Sequence, residues 1–458
     1  MPAVSLEVFR SRFRGEIIQP NDAAYDGARK VYNAMIDKRP QIIARCADVA
    51  DVIAAVEYGR ENHLLVAIRG GGHNGGGLGT CDGGLVIDLS AMKGVHVYPE
   101  TRTARASGGA TWGDVDHATH VFGLATPSGI ISTTGVGGLT LGGGIGYLTR
   151  RYGLTIDNLI AVDMVLADGS FVTANAEDHP DLFWAVRGGG GNFGVATSFL
   201  FRLHPVRMVQ AGPTLWRLEQ AVEVMRAYRR FILRAPEDIN GFFAFLTVPP
   251  APMFPESLHG RKVCGIVWYS TASAEATETA LKAMRTLGKP LFDHVGEIPH
   301  PAVQSLFDPL YPPGLQWYWR ADFVRELSEE AMALHVKYAS QLPTMHSTMH
   351  LYPINGAAHR VGRKDTAFSF RDAVWAEVIV GVDPDPANND KLIAWTKEYW
   401  EALHPYSAGG AYVNFMMDEG QDRIKATYRE NYDRLAAVKK KYDPANFFRV
   451  NQNIHPAA

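Results

Sequence analysis

Residues 66–79, VAIRGGGHNGGGLG, restrict this chain more than any other stretch. A short apolar run, Val66 to Ile68, stops at Arg69, and the next ten positions hold seven glycines with His73 among them. Glycine accepts φ > 0 and lets the backbone approach a ligand closely. A strand that opens into such a loop offers bare N–H groups as an anion nest, suited to a phosphate. Taken alone, the stretch reads equally well as a loose surface turn with an ordinary histidine. Repetition decides between the two: residues 135–146 (GVGGLTLGGGIG) hold seven more glycines and 188–194 (GGGGNFG) hold five. In regular structure each glycine costs roughly 0.5–1 kcal/mol relative to alanine. Three such clusters predict one extended ligand threaded between backbone loops.

The clusters sit in a chain of 458 residues with a net charge of −3. That length predicts two or more domains and a sizeable core. The near-neutral balance gives no electrostatic case for nucleic acid or an anionic membrane. No apolar run approaches the roughly 18 residues of a membrane span, and residues 1–20 lack the apolar centre of a signal peptide. Cys46, Cys81 and Cys264 form neither a CxxC pair nor a disulfide framework, so the expected location is a reducing cytoplasm.

Patterning predicts a helix entered at Asn21 and Asp22 and running through 39, then an extended run at 41–44. Asp48 caps a helix with apolar residues at 49, 52, 53 and 56. Strands follow at 64–68 and 85–89, a strand pair at 95–97 and 103–106, and a helix from Thr111 to His120. Residues 161–166 and 170–173 read as a hairpin, 181–186 as a helix and 195–203 as a strand. After Pro205 the glycine clusters cease, and strands alternate with helices through 404, with proline-rich loops at 249–255 and 308–313. A helix around 421–440 and the segment YDPANFFRVNQNI close the chain.

Gly189-x-Gly191-x-x-Gly194 matches the dinucleotide fingerprint, but that motif needs a strand before it and a helix after it. Here the order is reversed, so the Rossmann reading fails. No GKS or GKT follows a glycine cluster, and no GxSxG elbow is present. His117 and His120, and His346 and His350, have metal-compatible spacings. The first pair falls on a surface helix. The second falls in an extended stretch, where i and i+4 share a face; for His350 a pocket-lining role is preferred to a metal, with core or surface packing as the alternative, and no metal is expected. His73 could be a base or a nucleophile.

Longer matches add a family. RGGGHN at 69–74, TPSGIISTTGVGGLTLGGGIGYLTRRYGLTIDNL at 126–159, DLFWAVRGGGGNFGV at 181–195, AYVNF at 411–415 and NYDRLAAVKKKYDPANFFRVNQNI at 431–454 are similar to the berberine-bridge-enzyme-like branch of the vanillyl-alcohol oxidase/PCMH flavoproteins. The resemblance implies an α+β fold. A PCMH-type FAD-binding domain of two α+β subdomains would span 1–205. A substrate domain, an antiparallel sheet covered by helices, would span 206–404, and 405–458 would return to the FAD domain. It implies FAD bonded from a ring nitrogen of His73 to the flavin 8α-methyl. Some relatives add a cysteinyl bond, but Ile131 stands at that position, so attachment would be through His73 only. Backbone loops would carry the pyrophosphate and adenine, which makes Arg69, Gly70, Gly71, Gly72, Asn74, Gly77, Thr133, Thr134, Gly135, Gly138, Gly142, Gly143 and Gly146 implied cofactor contacts. Val195, Tyr412, Asn414 and Asn451 join them.

The same resemblance implies the chemistry. A base takes a proton from a substrate O–H or N–H, hydride passes from the adjacent carbon to the flavin, and oxygen becomes hydrogen peroxide. Thr134 stands where the family controls oxygen access, close in size to the valine of oxidases. Glu377, six residues after Arg371, fits the offset of the family's glutamate base, and would share a flavin-facing strand side with Trp375 and Ile379. Tyr412 matches the tyrosine of a YxNY motif that reads YVNF here, with Phe415 in place of the second tyrosine. Tyr412 and Glu377 are therefore the expected bases, with His350 next. The expected partners are a small alcohol, amine or phenolic or sugar-like substrate and molecular oxygen. A dehydrogenase with another acceptor, and a flavin-binding protein without turnover, are the alternatives. The cluster Trp317-Tyr318-Trp319 has no assigned role, and the oligomeric state is open.

Overall fold

A computed structural model describes residues 4–458; residues 1–3, at the start of the stretch read for a leader, lie outside the described residues. The fold is α+β, built on three main sheets. The first has four strands in the order Glu16–Ile18, Ile42–Arg45, Leu85–Asp88 and Val66–Arg69, the last three mutually parallel. The helix Val49–Glu61 makes the crossover. The Asp48 carboxylate accepts the Asp51 N–H at its start, and Val52, Ala55 and Val56 are buried. The second sheet is antiparallel, with five strands, and carries Leu159–Val165, Val195–Arg202 and Thr103–Ser107 at its centre. The helix Pro180–Val186 precedes the third glycine cluster and the strand Val195–Arg202 follows it, which is the order that excluded the Rossmann reading.

The third sheet is the largest. Its antiparallel strands include Met208–Arg217, Lys262–Ser270, Ile239–Thr247, Thr348–Pro353, Trp375–Asp383 and Gln316–Val324, adjacent in that order. Helices Ala221–Ile232, Ala274–Arg285, Glu329–Ala339 and Asn389–Leu403 cover one face, and Phe243, Ile266, Trp268, Met349, Trp375 and Ile379 pack into them. The other face looks back at the glycine clusters. The chain's end closes on the same region. Lys439, fully buried on the helix Tyr432–Tyr442, donates to the carbonyls of Asn192 and Phe448 and pairs with Asp443 at 2.6 Å.

Three local expectations change. The helix predicted over 21–39 is only Tyr25–Ala28. Tertiary bonds hold the rest open: Asn33 donates to the Gly75 and Trp317 carbonyls and accepts from the Trp317 N–H. The second glycine cluster is not all loop, because Val136–Gly142 is helical. The helix near 421–440 is two helices, Gln421–Tyr428 and Tyr432–Tyr442, broken where Arg429 takes φ +49° and pairs with Asp372 at 2.8 Å. No helix among the described residues is long and apolar enough to cross a membrane.

Candidate active site

The site begins where the Val66–Arg69 strand runs out. Arg69 and Asp88 sit side by side on parallel strands, both buried, 2.7 Å apart. Burial would raise the Asp88 carboxyl, but the Arg69 guanidinium holds it below its usual value. With its charge committed, Arg69 ends the strand, and the chain leaves as bare backbone. At Gly71 it crosses Gly135 of the second cluster. A Cβ on Gly71 would lie 2.4 Å from the Gly135 nitrogen, and one on Gly135 would lie 2.3 Å from the Gly71 nitrogen. Neither position can carry a side chain. Among the described residues, the N–H groups of Gly71, Gly72, His73 and Asn74 have no hydrogen-bond acceptor, which is the nest that the glycines predict.

His73 follows directly. Its ring stacks on Tyr32 with centroids 3.9 Å apart and planes 19° from parallel, and Nε2 lies 3.0 Å from the Thr133 hydroxyl. Burial pulls its pKa down to about 4, so the imidazole is neutral near pH 7. Nδ1 has no protein partner among the described residues.

All of this faces one cavity of about 960 Å³, at the top of the range for ligand sites. The glycine clusters form one wall. The opposite wall is the free face of the third sheet, where strand alternation selects every second residue: Phe242, Ala244 and Leu246; Thr348, His350 and Tyr352; Val378 and Val380; Trp317 and Trp319. The proline-rich loops at 249–255 and 308–313 border it through Pro249, Pro252, Pro309 and Tyr311. A Cβ at Gly138 or at Gly191, both lining residues, would meet nothing within 4 Å, so the cavity lies directly before them. Asn451 also lines the cavity, and among the described residues its buried Oδ1 has no hydrogen-bond partner. Free backbone donors, glycine walls and a volume of this size fit a phosphate-bearing dinucleotide such as FAD.

Of the residues expected from sequence, Arg69, Gly70, Gly71, Gly72, His73, Asn74, Thr134, Gly135, Gly138, His350, Tyr412, Asn414 and Asn451 line this cavity. Seven do not. Gly77 is bare because Ile36 packs against it, Gly142 because of Asn414, Gly143 because of Phe368, and Gly146 because of the Ser128 carbonyl. Val195 is core, paired with Val165. Thr133 reaches the cavity only through its bond to His73. Glu377 is the substantial correction. It lies on the helix-covered side with Trp375, Ile379 and Leu351, while Ala376, Val378 and Val380 belong to the cavity side. It is buried 3.5 Å from the His335 Nε2, and burial, with Asp322 on the next strand, pushes its pKa well up. A neutral acid behind the sheet cannot meet a substrate in the cavity.

Tyr412 lines that cavity. Its Oη accepts the Gly144 N–H at 2.9 Å and the Asn414 Nδ2–H at 2.7 Å. Burial raises its pKa, those two donors oppose the rise, and it is pushed up to about 12. Phe415 stands edge-on beside it, centroids 4.8 Å apart. Sequence reasoning missed Tyr32, Gly108 and Ile130, and took no residue from the third cluster, although Gly190, Gly191 and Asn192 line the cavity. The cluster itself was the signal for those three; the others carry none. No group of three or more His, Cys, Asp or Glu among the described residues could hold a metal.

Residues 40–175 match the family model described as FAD binding domain, and 411–455 match that described as berberine and berberine like. An uncharacterized FAD-linked oxidoreductase of Bacillus subtilis is 31% identical over 457 residues, 98% of each chain. The (R)-6-hydroxynicotine oxidase of Paenarthrobacter nicotinovorans is 28% identical over 458 residues, 97% of each chain. A xylooligosaccharide oxidase of Thermothelomyces thermophilus is 28% identical over 467 residues, covering 93% of this chain and 89% of that one. The crystal structure of 6-hydroxy-D-nicotine oxidase from Arthrobacter nicotinovorans superposes with a TM-score of 0.87 at 27% identity, covering 97% of this chain and 98% of that one.

Proposed function

The chain belongs to the berberine-bridge-enzyme-like FAD-linked oxidoreductases, and from that premise we propose that it is an oxidase of a small organic substrate, with its FAD held covalently by His73 alone. The observation that carries this is the state of the His73 ring. Tyr32 fixes its plane, Thr133 occupies Nε2, and burial keeps it neutral. Nδ1 is thereby left as a free nucleophile facing the cavity. No cysteine lines the cavity, since Cys46, Cys81 and Cys264 are buried in the folded core, which supports attachment at one point.

When bound, FAD supplies the redox chemistry, taking a hydride from carbon and passing electrons to oxygen to give hydrogen peroxide. The chain supplies the rest. Its nest of N–H groups would hold phosphate oxygens, and the apolar sheet wall would exclude water from the reacting centre. Tyr412 meets the reacting group. Its oxygen already accepts two N–H bonds, so its own hydrogen is the free valence, and a phenol at about 12 keeps that hydrogen near neutral pH. It therefore holds a substrate oxygen or nitrogen as a donor and turns base only at alkaline pH. Thr134, on the cavity wall, is small enough to leave oxygen a path.

Acid precipitation of the protein should leave a yellow pellet, and the flavin-bearing peptide should contain His73. A colourless pellet, or a His73→Ala protein with flavin still covalently held, rules out the attachment. Flavin reduced by dithionite should reoxidise promptly in air, and Thr134→Leu should slow that step. Reduced wild-type flavin that persists for minutes in air replaces the oxidase with a dehydrogenase.

A further inference from the structure

Three side chains on the Thr348–Pro353 strand form a directed hydrogen-bond chain. The Thr348 hydroxyl donates to the Phe245 carbonyl at 2.7 Å. Having spent its only hydrogen there, Thr348 accepts from His350, whose Nε2 lies 2.9 Å away. A neutral imidazole carries one ring hydrogen, so His350 Nδ1 is bare. It accepts the hydrogen of Tyr352, whose Oη lies 2.5 Å away. Tyr352 lines the cavity, and its oxygen now has only lone pairs left to offer there. Tyr412 is its complement. The two phenols flank the Phe415 ring, at 5.8 and 4.8 Å between centroids, and Tyr412 offers only a hydrogen.

One donor and one acceptor in the same cavity describe a hydroxyl. The remaining wall describes what carries it. Leu215, Phe242, Leu246, Val267, Val378 and Val380 line the sheet side, and among the described residues no Asp, Glu or Lys lines the cavity. A protonated amine has no lone pair with which to accept from Tyr412. An oligosaccharide would leave most of its hydroxyls against hydrocarbon.

We propose that Tyr352, aligned by His350, accepts the proton of the substrate, and that the substrate is an uncharged, largely apolar alcohol. This rests on the oxidase reading above. The substrate O–H bond breaks and its proton goes to Tyr352 Oη, while the Tyr352 proton passes to His350 Nδ1. Bound FAD would supply the hydride acceptor for the adjacent carbon, so that the C–O bond would become a carbonyl. Tyr352 is the catalytic residue and His350 a positioning residue that receives the relayed proton. The titratable groups facing the pair are Tyr147 and Tyr311, both kept neutral by burial. The strand Ile239–Thr247 presents the Phe242 ring to His350, 5.2 Å away, and the strand Trp375–Asp383 sets Val378 opposite it. Burial alone holds His350 down at about 3, so the relay stays charge-free until substrate arrives.

The test is anaerobic flavin reduction by 4-methoxybenzyl alcohol, cinnamyl alcohol, benzylamine and xylobiose at equal concentration. The alcohols should reduce the flavin and the other two should not. Reduction by the amine or by xylobiose at the rate of the alcohols, or by none of the alcohols, overturns the substrate assignment. In Tyr352→Phe and His350→Gln, with flavin attached, reduction by the faster alcohol should slow by about 10²–10⁴. The wild-type rate should be flat above about pH 5, whereas in His350→Gln it should climb about tenfold per pH unit. A wild-type rate in both variants, or a loss with a flat profile, overturns the relay. Independently of turnover, ¹⁵N-histidine spectra should show His350, identified by its absence in His350→Gln, as the neutral Nε2–H tautomer at pH 6; an imidazolium there also overturns it. The dithionite and air experiment is unaffected by these outcomes, so failure of the relay and failure of the oxidase reading are distinguishable.

Discussion

The two faces of the large sheet share strands, hydrogen bonds and parity rules, and differ in what they do with a polar side chain. On the cavity face, His350 keeps both ring nitrogens in hydrogen bonds and stays half-buried beside Tyr352. On the helix face, Glu377 is buried among Leu351, Ile379 and Tyr399, with His335 Nε2 at 3.5 Å. The first arrangement keeps a group ready to exchange a proton. The second suppresses exchange, because ionising Glu377 would put a charge into a packed core. Position along a strand thus separates chemistry from packing by a single residue.

The largest expected contrast is in rate. Tyr412→Phe removes the donor to the substrate oxygen, and anaerobic flavin reduction should fall by about 10²–10³. Glu377→Gln, which keeps shape and neutrality, should reduce within about twofold of wild type, with flavin attached in both. Equal losses would mean that the carboxyl reaches the cavity after all.

A smaller contrast is in stability. Leu351→Ala, on the helix face, should cost about 2–5 kcal/mol through the cavity it leaves. Val378→Ala, next to open space, should cost about 1 kcal/mol and act chiefly by raising KM for the alcohol. Urea unfolding midpoints and steady-state kinetics measure the two effects, and matching midpoints would break the distinction between the faces.

The smallest is a pH effect. The folded pKa of Glu377 lies above that of an unfolded glutamate, near 4.3. The unfolded chain therefore gives up the proton first, and stability present below about pH 4 drains away as pH rises toward the folded value. Glu377→Gln lacks this loss, so its melting temperature relative to wild type should increase between pH 4 and pH 7. A constant difference would show that Glu377 ionises normally in the fold.

These faces also mark what could be read from sequence. The glycine clusters and His73 were legible because a backbone crossing such as Gly71 over Gly135 admits no other residue. Which glycines serve the ligand was less legible. Gly138 is bare toward the cavity and Gly142 is bare because Asn414 packs on it, and both needs read as the same letter. The parity of Trp375–Asp383 was not legible. Its residues are buried from Trp375 through Val382, so no polar–apolar alternation shows which side faces the cavity. The tyrosine at 412 could be found because its motif is local; the donors that fix its polarity, Gly144 and Asn414, come together only in the fold.

The alternation of the sheet carries a consequence for the history of such a protein. Along the strands Ile239–Thr247, Thr348–Pro353 and Trp375–Asp383, even-numbered side chains face the cavity and odd-numbered ones the helices. A lineage can therefore rewrite what the cavity accepts by changing one set of letters, while the other set goes on holding the domain together. Mutations at 242, 246, 378 and 380 would change what the cavity accepts and leave the fold intact, and those at 243, 245, 349, 351, 375 and 379 would unfold the domain. A library randomised at the first set alone should yield many folded proteins with flavin attached and a spread of substrate preferences, and one randomised at the second should yield few folded proteins of any preference.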